Sequence, residues 1–154
     1  MYEDASVLYR LVPYMDKVCY VNDSFVYYNQ RPKSITHTFG VNVDNMIEVF
    51  TGIIKEYKKK KLFNEYKDEL EYITTRFFLG NSYLRTCRIE DVNLRNSILK
   101  ESWSFLNAQF PNFNDNKFLL DSGFKNKYYK NITESKFYGN VKFIRVLYSL
   151  GILK

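Results

Sequence analysis

The sequence predicts a mainly α-helical fold with a minor β element: an N-terminal helix and a β-hairpin, followed by a bundle of about five helices. Glycine (6 residues) and proline (3 residues) are scarce among the 154 residues, which disfavours a turn-rich all-β fold. Beyond residue 40, apolar residues recur mostly at helical spacing. The length fits a single domain over residues 1–154, large enough to bury roughly 70% of its unfolded surface.

The first element is predicted as a helix over residues 3–16. Glu3 and Asp4 suit a helix N-terminus, where free amides and the positive end of the dipole favour carboxylates. Apolar residues then recur one turn apart, at Val7, Leu8, Leu11 and Val12. Pro13 is expected to end or kink this helix.

Two short strands are predicted next, "KVCYVN" (residues 17–22) and "SFVYYNQ" (residues 24–30). Both are rich in aromatic and β-branched residues, and Asn22-Asp23 is a turn signal between them. We therefore expect a β-hairpin, which then leads into the polar stretch "RPKSITH".

The remainder, residues 40–154, is predicted to be helical. Long apolar faces run through residues 42–63, 65–88, 90–110 and 131–154, with a short segment at 118–123. The third of these begins with an acidic pair, and Thr133 is expected to cap the last. The asparagine-rich stretch "NFNDNK" is predicted as a loop.

The net charge of +6 and the pI near 9.2 are compatible with nucleic acid, an anionic membrane surface or a phosphate-bearing substrate as partner. No nucleic-acid-binding signature occurs, so we expect no nucleic acid partner. The basic and apolar stretches "KEYKKKKLF" and "NVKFIRVLYSLGILK" suit contact with an anionic membrane. The alternative is that these helices face the core and their lysines are simply solvated.

Localisation is predicted to be cytoplasmic, with peripheral association at the inner face of the cell membrane as an option. The N-terminus is acidic where a secretory signal would be basic, and no apolar run approaches the roughly 18 residues of a membrane span. The two cysteines, Cys19 and Cys87, have no metal-binding spacing and are expected to be buried, reduced thiols.

Two groups of residues could carry chemistry. Glu3 and Asp4 could supply a general base, or they could form an ordinary helix start. The loop "YYNQRPKSITH" could hold a phosphate through Arg31, Ser34 and His37, or it could be a solvated loop. The sequence has no DxD, no GxGxxG and no P-loop, and no metal ligands are assigned.

The order of these features over residues 2–39 resembles the second half of bacterial family 2 glycosyltransferases, which build capsular and other surface polysaccharides. Those enzymes show an acidic pair opening a helix and then a pattern like "KV.Y....YYYRQR.GSIT". This chain has Asn29 where arginine is common, and Pro32-Lys33 near the usual glycine. The helical residues 40–154 resemble the variable C-terminal region of such proteins only loosely.

The resemblance implies a GT-A type enzyme that inverts the sugar's anomeric configuration. It implies that Asp4 is the catalytic base and that Glu3 orients Asp4 or contacts the acceptor. The loop after the hairpin would lie near the donor diphosphate, so Arg31, Ser34 and His37 would contact the leaving group or the acceptor. Mg²⁺ or Mn²⁺ would accompany the nucleotide-sugar in the full enzyme, and we expect this chain to bind no cofactor itself.

The family's nucleotide-binding sheet and its DxD have no counterpart in this chain, so we expect an acceptor-side, C-terminal portion that is inactive alone. Such a portion should expose apolar residues that normally rest on the sheet, namely Val7, Leu8, Leu11, Val18 and Tyr20. We expect this surface to pair with an N-terminal glycosyltransferase half or with a second copy. The alternative function is a non-catalytic helical module that docks a polysaccharide-assembly complex at the membrane.

Overall fold

A computed structural model describes residues 3–27, 29, 45–120 and 123–153. The α-helices in these ranges are α1 (Glu3–Leu11), α2 (Asn45–Lys59), α3 (Lys67–Arg76), α4 (Tyr83–Cys87), α5 (Val92–Gln109), α6 (Phe124–Asn131) and α7 (Glu134–Ser149). A π-helical segment, Phe77–Ser82, joins α3 to α4, so that residues 67–87 form one continuous helix. Short 3₁₀ turns occupy Val12–Tyr14, Phe113–Asp115 and Lys117–Leu119.

The core is aromatic and is built mainly from the helices after α1. Phe50 of α2 packs edge-on against Phe78 of the π-helical segment, which in turn stacks on Phe105 of α5 (ring centroids 5.6 and 5.1 Å apart). Trp103 and Tyr83 both pack against Phe137 of α7, with centroid separations of 5.0 and 4.6 Å. Such ring pairs stabilise the fold beyond the contribution from the apolar area that the rings bury. The mainly α prediction is confirmed.

The asparagine-rich loop before α6 holds the helices together through side-chain amides. Asn116 Nδ2 donates to the carbonyl of Asp68 (2.8 Å) and to Glu71 Oε2 (2.7 Å) on α3. Asn114 Nδ2 donates to the carbonyls of Tyr129 and Ile132, 2.7 and 3.2 Å away, at the end of α6 and just beyond it. The two Asn114 bonds satisfy carbonyls at the end of α6 that have no partner within the helix.

The predicted β-hairpin is not seen in the described residues. Residues 17–27 form no strand there, and their side chains are exposed. A two-stranded hairpin is at best marginally stable in water unless it packs on another element. Here nothing in the described chain covers the strand-like residues, so their β propensity has no packing to support it.

After α1, the described chain has the predicted five helical segments, if residues 67–87 are counted as one. The fourth of these segments, α6, does not lie where the sequence predicted it. Sequence reasoning expected a short segment at 118–123, of which residues 121–122 lie outside the described chain. In the described part of that range the structure has the end of the Lys117–Leu119 turn, and sequence reasoning missed α6. The α6 helix buries only Asn126 and Tyr129, so it lacks the apolar periodicity that indicates an amphipathic helix.

The predicted helix starts are confirmed where side chains cap them. Asp91 Oδ1 accepts hydrogen bonds from the backbone N–H of Asn93 (2.8 Å) and of Leu94 (3.0 Å) at the start of α5. Thr133 Oγ1 accepts from the N–H of Lys136 at the start of α7. Capping depends on residues only two or three positions apart, which is why the sequence predicts it well.

Helix α2 ends in a Schellman arrangement with an unusual residue at its centre. The N–H of Leu62 bonds to the carbonyl of Tyr57, and the N–H of Lys61 bonds to the carbonyl of Lys58. Lys61 therefore occupies the left-handed position (φ 60°) that glycine usually fills. The run of four lysines is placed by this motif at the C-terminal end of α2, where cations are favoured.

Candidate functional site

Helix α1 presents Asp4 on a face that points away from the bundle. The helix begins at Glu3, as predicted, and Asp4 lies exposed in its first turn. The side chain of Glu3 lies outside the described part of the chain. Positions 4, 7, 8 and 11 share one side of a helix, so Asp4 stands at the head of the apolar stripe formed by Val7, Leu8 and Leu11.

The opposite side of α1 is attached to the bundle. Ala5 is buried, and the ring of Tyr9 meets Phe77 edge-on at a centroid distance of 6.2 Å. The Arg10 guanidinium lies so close to Gly52 of α2 that a Cβ at position 52 would stand 1.8 Å from Arg10 Nη2. Gly52 thus provides the space in which Arg10 crosses α2.

The 3₁₀ turn after α1 is also attached to α2, through polar contacts of Tyr14. The Tyr14 hydroxyl donates a short hydrogen bond to Glu56 Oε1, and Lys60 Nζ lies 3.7 Å from the centre of the Tyr14 ring. Hydrogen bonding to Glu56 raises the pKa of the Tyr14 hydroxyl, and the same bond lowers the pKa of the Glu56 carboxyl. Lys59 also pairs with Glu56, at 3.3 Å. Sequence reasoning missed the contacts of Tyr14 because they join residues more than forty positions apart.

The exposed apolar surface predicted for this region is confirmed. Its five expected members, Val7, Leu8, Leu11, Val18 and Tyr20, are between 48% and 87% exposed. The surface extends along the chain, since Phe25, Val26 and Tyr27 are also exposed. We call the exposed apolar side chains of α1 and of residues 18–27 the N-terminal apolar surface. Exposed apolar surface on this scale commonly marks an interaction site.

The predicted phosphate-contacting residues, Arg31, Ser34 and His37, lie outside the described residues. Their contact with the donor diphosphate or with the acceptor therefore stays a prediction. Within the described ranges, no group of three or more histidine, cysteine, aspartate or glutamate side chains could hold a metal ion. No helix in those ranges is long and apolar enough to cross a membrane.

The two cysteines differ from each other, which corrects the prediction that both are buried. Cys87 is fully buried, and burial raises the pKa of its thiol to about 12. Cys19 is exposed in the irregular segment after α1. The difference follows from the missing hairpin, because a strand at residues 17–22 would need a surface to pack on before it could bury Cys19.

A second exposed apolar stripe runs along α7 to its C-cap residue, Leu150. Phe143, Val146 and Leu150 follow one another at helical spacing and are 52–66% exposed. Lys142, also exposed, lies beside this stripe. We call these three apolar residues the α7 stripe.

Comparisons of the chain with protein-family models, with curated proteins and with solved structures give no match. The glycosyltransferase resemblance of residues 2–39 therefore stays a prediction from the sequence.

Proposed function

We propose that this chain supplies the acceptor side of an inverting, nucleotide-sugar-dependent glycosyltransferase, with Asp4 as the catalytic base. One observation supports the proposal above the others. The carboxylate of Asp4 stands exposed at the head of an apolar helix face, on a helix whose other side is attached to the bundle. An acceptor hydroxyl can reach such a carboxylate from outside the bundle.

The proposed chemistry is a single displacement. Asp4 accepts the proton of the acceptor hydroxyl as that oxygen attacks the anomeric carbon, and the bond from that carbon to the nucleoside diphosphate breaks. By the family resemblance, Glu3 orients Asp4 or the acceptor, and Arg31, Ser34 and His37 stabilise the charge that develops on the diphosphate. Mg²⁺ or Mn²⁺ would accompany the donor. The chain has no DxD, and we assign it no metal ligand.

The N-terminal apolar surface is the reason to expect a further domain over Asp4. A base works best in a site from which water is excluded, and α1 by itself leaves Asp4 in water. A nucleotide-binding domain packed on Leu8 and Leu11 would cover the apolar stripe and enclose the carboxylate at the same time. We therefore propose that the chain is inactive until this surface is covered, by an N-terminal glycosyltransferase half or by self-association.

The proposal is tested in the organism from which the chain comes. The coding segment is deleted and then restored as the wild type, as Asp4→Asn or as Asp16→Asn, and transfer of labelled sugar to surface polysaccharide is measured in membranes. Asp16 is a matched control because it is an exposed aspartate that follows α1 and its 3₁₀ turn. We expect the deletion and Asp4→Asn to lose transfer, and Asp16→Asn to retain it. Normal transfer with Asp4→Asn would contradict the role of Asp4.

A second candidate function, a non-catalytic module that docks at an anionic membrane surface, is favoured by the α7 stripe. Exposed apolar side chains beside a lysine suit a helix that lies in the membrane interface. Sedimentation with anionic and neutral vesicles tests this function. We expect binding to anionic vesicles that weakens in about 0.5 M salt, where charges are strongly screened.

Phe143→Ser should reduce this binding, whereas Leu120→Ser, at another exposed apolar residue, should not. Asp4→Asn should leave the binding unchanged, which separates this function from catalysis. Absence of binding to anionic vesicles would remove the membrane-docking function.

A further inference from the structure

A small cleft opens where α1, the π-helical segment and α6 meet. Its volume is about 250 Å³. Arg76, at the end of α3, and Lys125, in the first turn of α6, supply its two cationic side chains. Polar groups of Asn81 and Tyr129 also line it, and Tyr9 and Phe77 form an aromatic wall. We call this space the cationic cleft.

The π-helical segment lines the cleft with Phe77 and Asn81, and it lets Tyr129 pack close beside them. Gly80 lies within this segment, and a Cβ at that position would stand 2.8 Å from the Tyr129 hydroxyl. Only a residue without a side chain lets the phenol of Tyr129 approach the helix backbone so closely. Segments of π-helix are rare and are frequent at functional sites.

Among the described residues, no carboxylate pairs with the two cations of the cleft. No aspartate or glutamate among the described residues lines the cleft, and no ion pair in the described ranges involves Arg76 or Lys125. The Arg76 guanidinium rests over the ring of Tyr72 (5.5 Å to the centroid), which leaves its N–H groups able to donate. Burial raises the pKa of Tyr129, so its hydroxyl is a neutral donor at physiological pH.

A second basic cleft, of about 580 Å³, lies near the end of α4. Its cations differ from those of the cationic cleft in their partners. Arg145 Nη1 there already donates to the carbonyls of Cys87 and Ile89, each 2.9 Å away. Glu90 lines the same cleft, so this cleft has a carboxylate among its lining residues. Arg145 therefore holds the end of α4 in place, whereas Arg76 and Lys125 have no such carbonyl or carboxylate partner in the described residues.

We propose that the cationic cleft binds a small molecule that carries a phosphate group. Arg76 and Lys125 contact the phosphate oxygens, and the Asn81 amide and the Tyr129 hydroxyl donate further hydrogen bonds. The rest of the ligand packs on the wall formed by Tyr9 and Phe77. The proposal is independent of the glycosyltransferase function, because it uses neither Asp4 nor the loop that contains Arg31.

Calorimetric titration of the whole chain tests the proposal with three probes: inorganic phosphate, pyrophosphate and uridine monophosphate. Sulfate serves as the control anion. We expect at least one phosphate probe to bind with one-to-one stoichiometry and more tightly than sulfate. Tighter binding of uridine monophosphate indicates an organic phosphate as the ligand, and tighter binding of either inorganic probe indicates a free phosphate or diphosphate.

Arg76→Gln and Lys125→Gln should each weaken this binding by about tenfold or more, because each removes a charge-assisted contact. Lys100→Gln and Lys142→Gln remove the same charge from exposed positions outside the cleft, and they should change the affinity less than about twofold. All four side chains are exposed, so the circular dichroism and melting temperature of the variants should match those of the wild type.

Amide NMR spectra recorded during the titration give a second readout. Probe binding should shift the side-chain amide of Asn81 more than that of Asn107 on α5, which lies outside the cleft. The proposal is overturned if no phosphate probe binds, if sulfate binds equally well, or if the control variants weaken binding as much as Arg76→Gln and Lys125→Gln do.

Discussion

Gly80→Ala tests the packing of α6 on the π-helical segment. In an exposed helix, replacing glycine with alanine stabilises the fold by about 1 kcal/mol, because alanine loses less conformational entropy than glycine when the chain folds. At position 80 the new methyl group would stand 2.8 Å from Tyr129 Oη, well inside van der Waals contact. Tyr129 is only 4% exposed, so its ring has little room to retreat.

The expected magnitude combines these two effects. Overpacking a buried site costs about 1–3 kcal/mol, which offsets and exceeds the helix-propensity gain. We therefore expect Gly80→Ala to lower the free energy of unfolding by about 1 kcal/mol, or the melting temperature by about 2–4 °C for a protein of this size. Gly139→Ala is the matched control, because Gly139 also lies within a helix but has nothing within 4 Å of its Cβ position. It should raise the free energy of unfolding by about 1 kcal/mol.

Urea unfolding followed by circular dichroism measures both variants against the wild type. The two substitutions should change the unfolding midpoint in opposite directions, with similar slopes. If Gly80→Ala stabilises the protein as much as Gly139→Ala does, the Tyr129 hydroxyl does not lie against position 80. That result would contradict the packing of α6 described for the cationic cleft.

Three further predictions concern local features. Lys61→Gly should raise the free energy of unfolding by about 1 kcal/mol, since Lys61 holds a left-handed conformation that suits glycine; an unchanged urea midpoint would contradict this. The lowered pKa of Glu56 means that its bond with Tyr14 stabilises the fold above about pH 4.5 and is lost as the pH falls through the folded-state pKa. In Tyr14→Phe the free energy of unfolding should therefore fall less between pH 7 and pH 3 than in the wild type, as measured by urea unfolding. In native protein a thiol reagent should label Cys19 but not Cys87, and labelling of both before unfolding would contradict the burial of Cys87.

The sequence predicts best the features that depend on neighbouring residues. The cap at Thr133 and the acidic start of α5 require only two or three residues in register, and both are confirmed; the structure adds that Asp91 is the N-cap of α5. The start of α1 likewise follows from its first residues, whereas the exposure of its apolar residues was expected from the family resemblance and not from helical spacing. In the described chain, the failures occur where formation depends on distant contacts. Residues 17–27 have the composition of strands but no surface to pack on, and α6 is held by Asn114 and a tyrosine rather than by an apolar stripe.

The sequence could not predict the cationic cleft. Arg76 and Lys125 are far apart along the chain, and neither belongs to a recognisable motif. They meet because α6 packs Tyr129 over Gly80, a contact that depends on the π-helical segment. A lone glycine within a helical pattern was the one available signal, since such a glycine can mark a close approach.

The measurement that tests the central claim most directly is the oligomeric state of the isolated chain, determined by light scattering over a wide range of concentration. In this assay no partner domain is present, so only a second copy can cover the N-terminal apolar surface. We therefore expect self-association that increases with concentration and is weakened by Leu8→Ser, but not by Leu120→Ser at an exposed apolar residue elsewhere. A strictly monomeric chain at the highest concentration, for the wild type and both variants, would contradict the account.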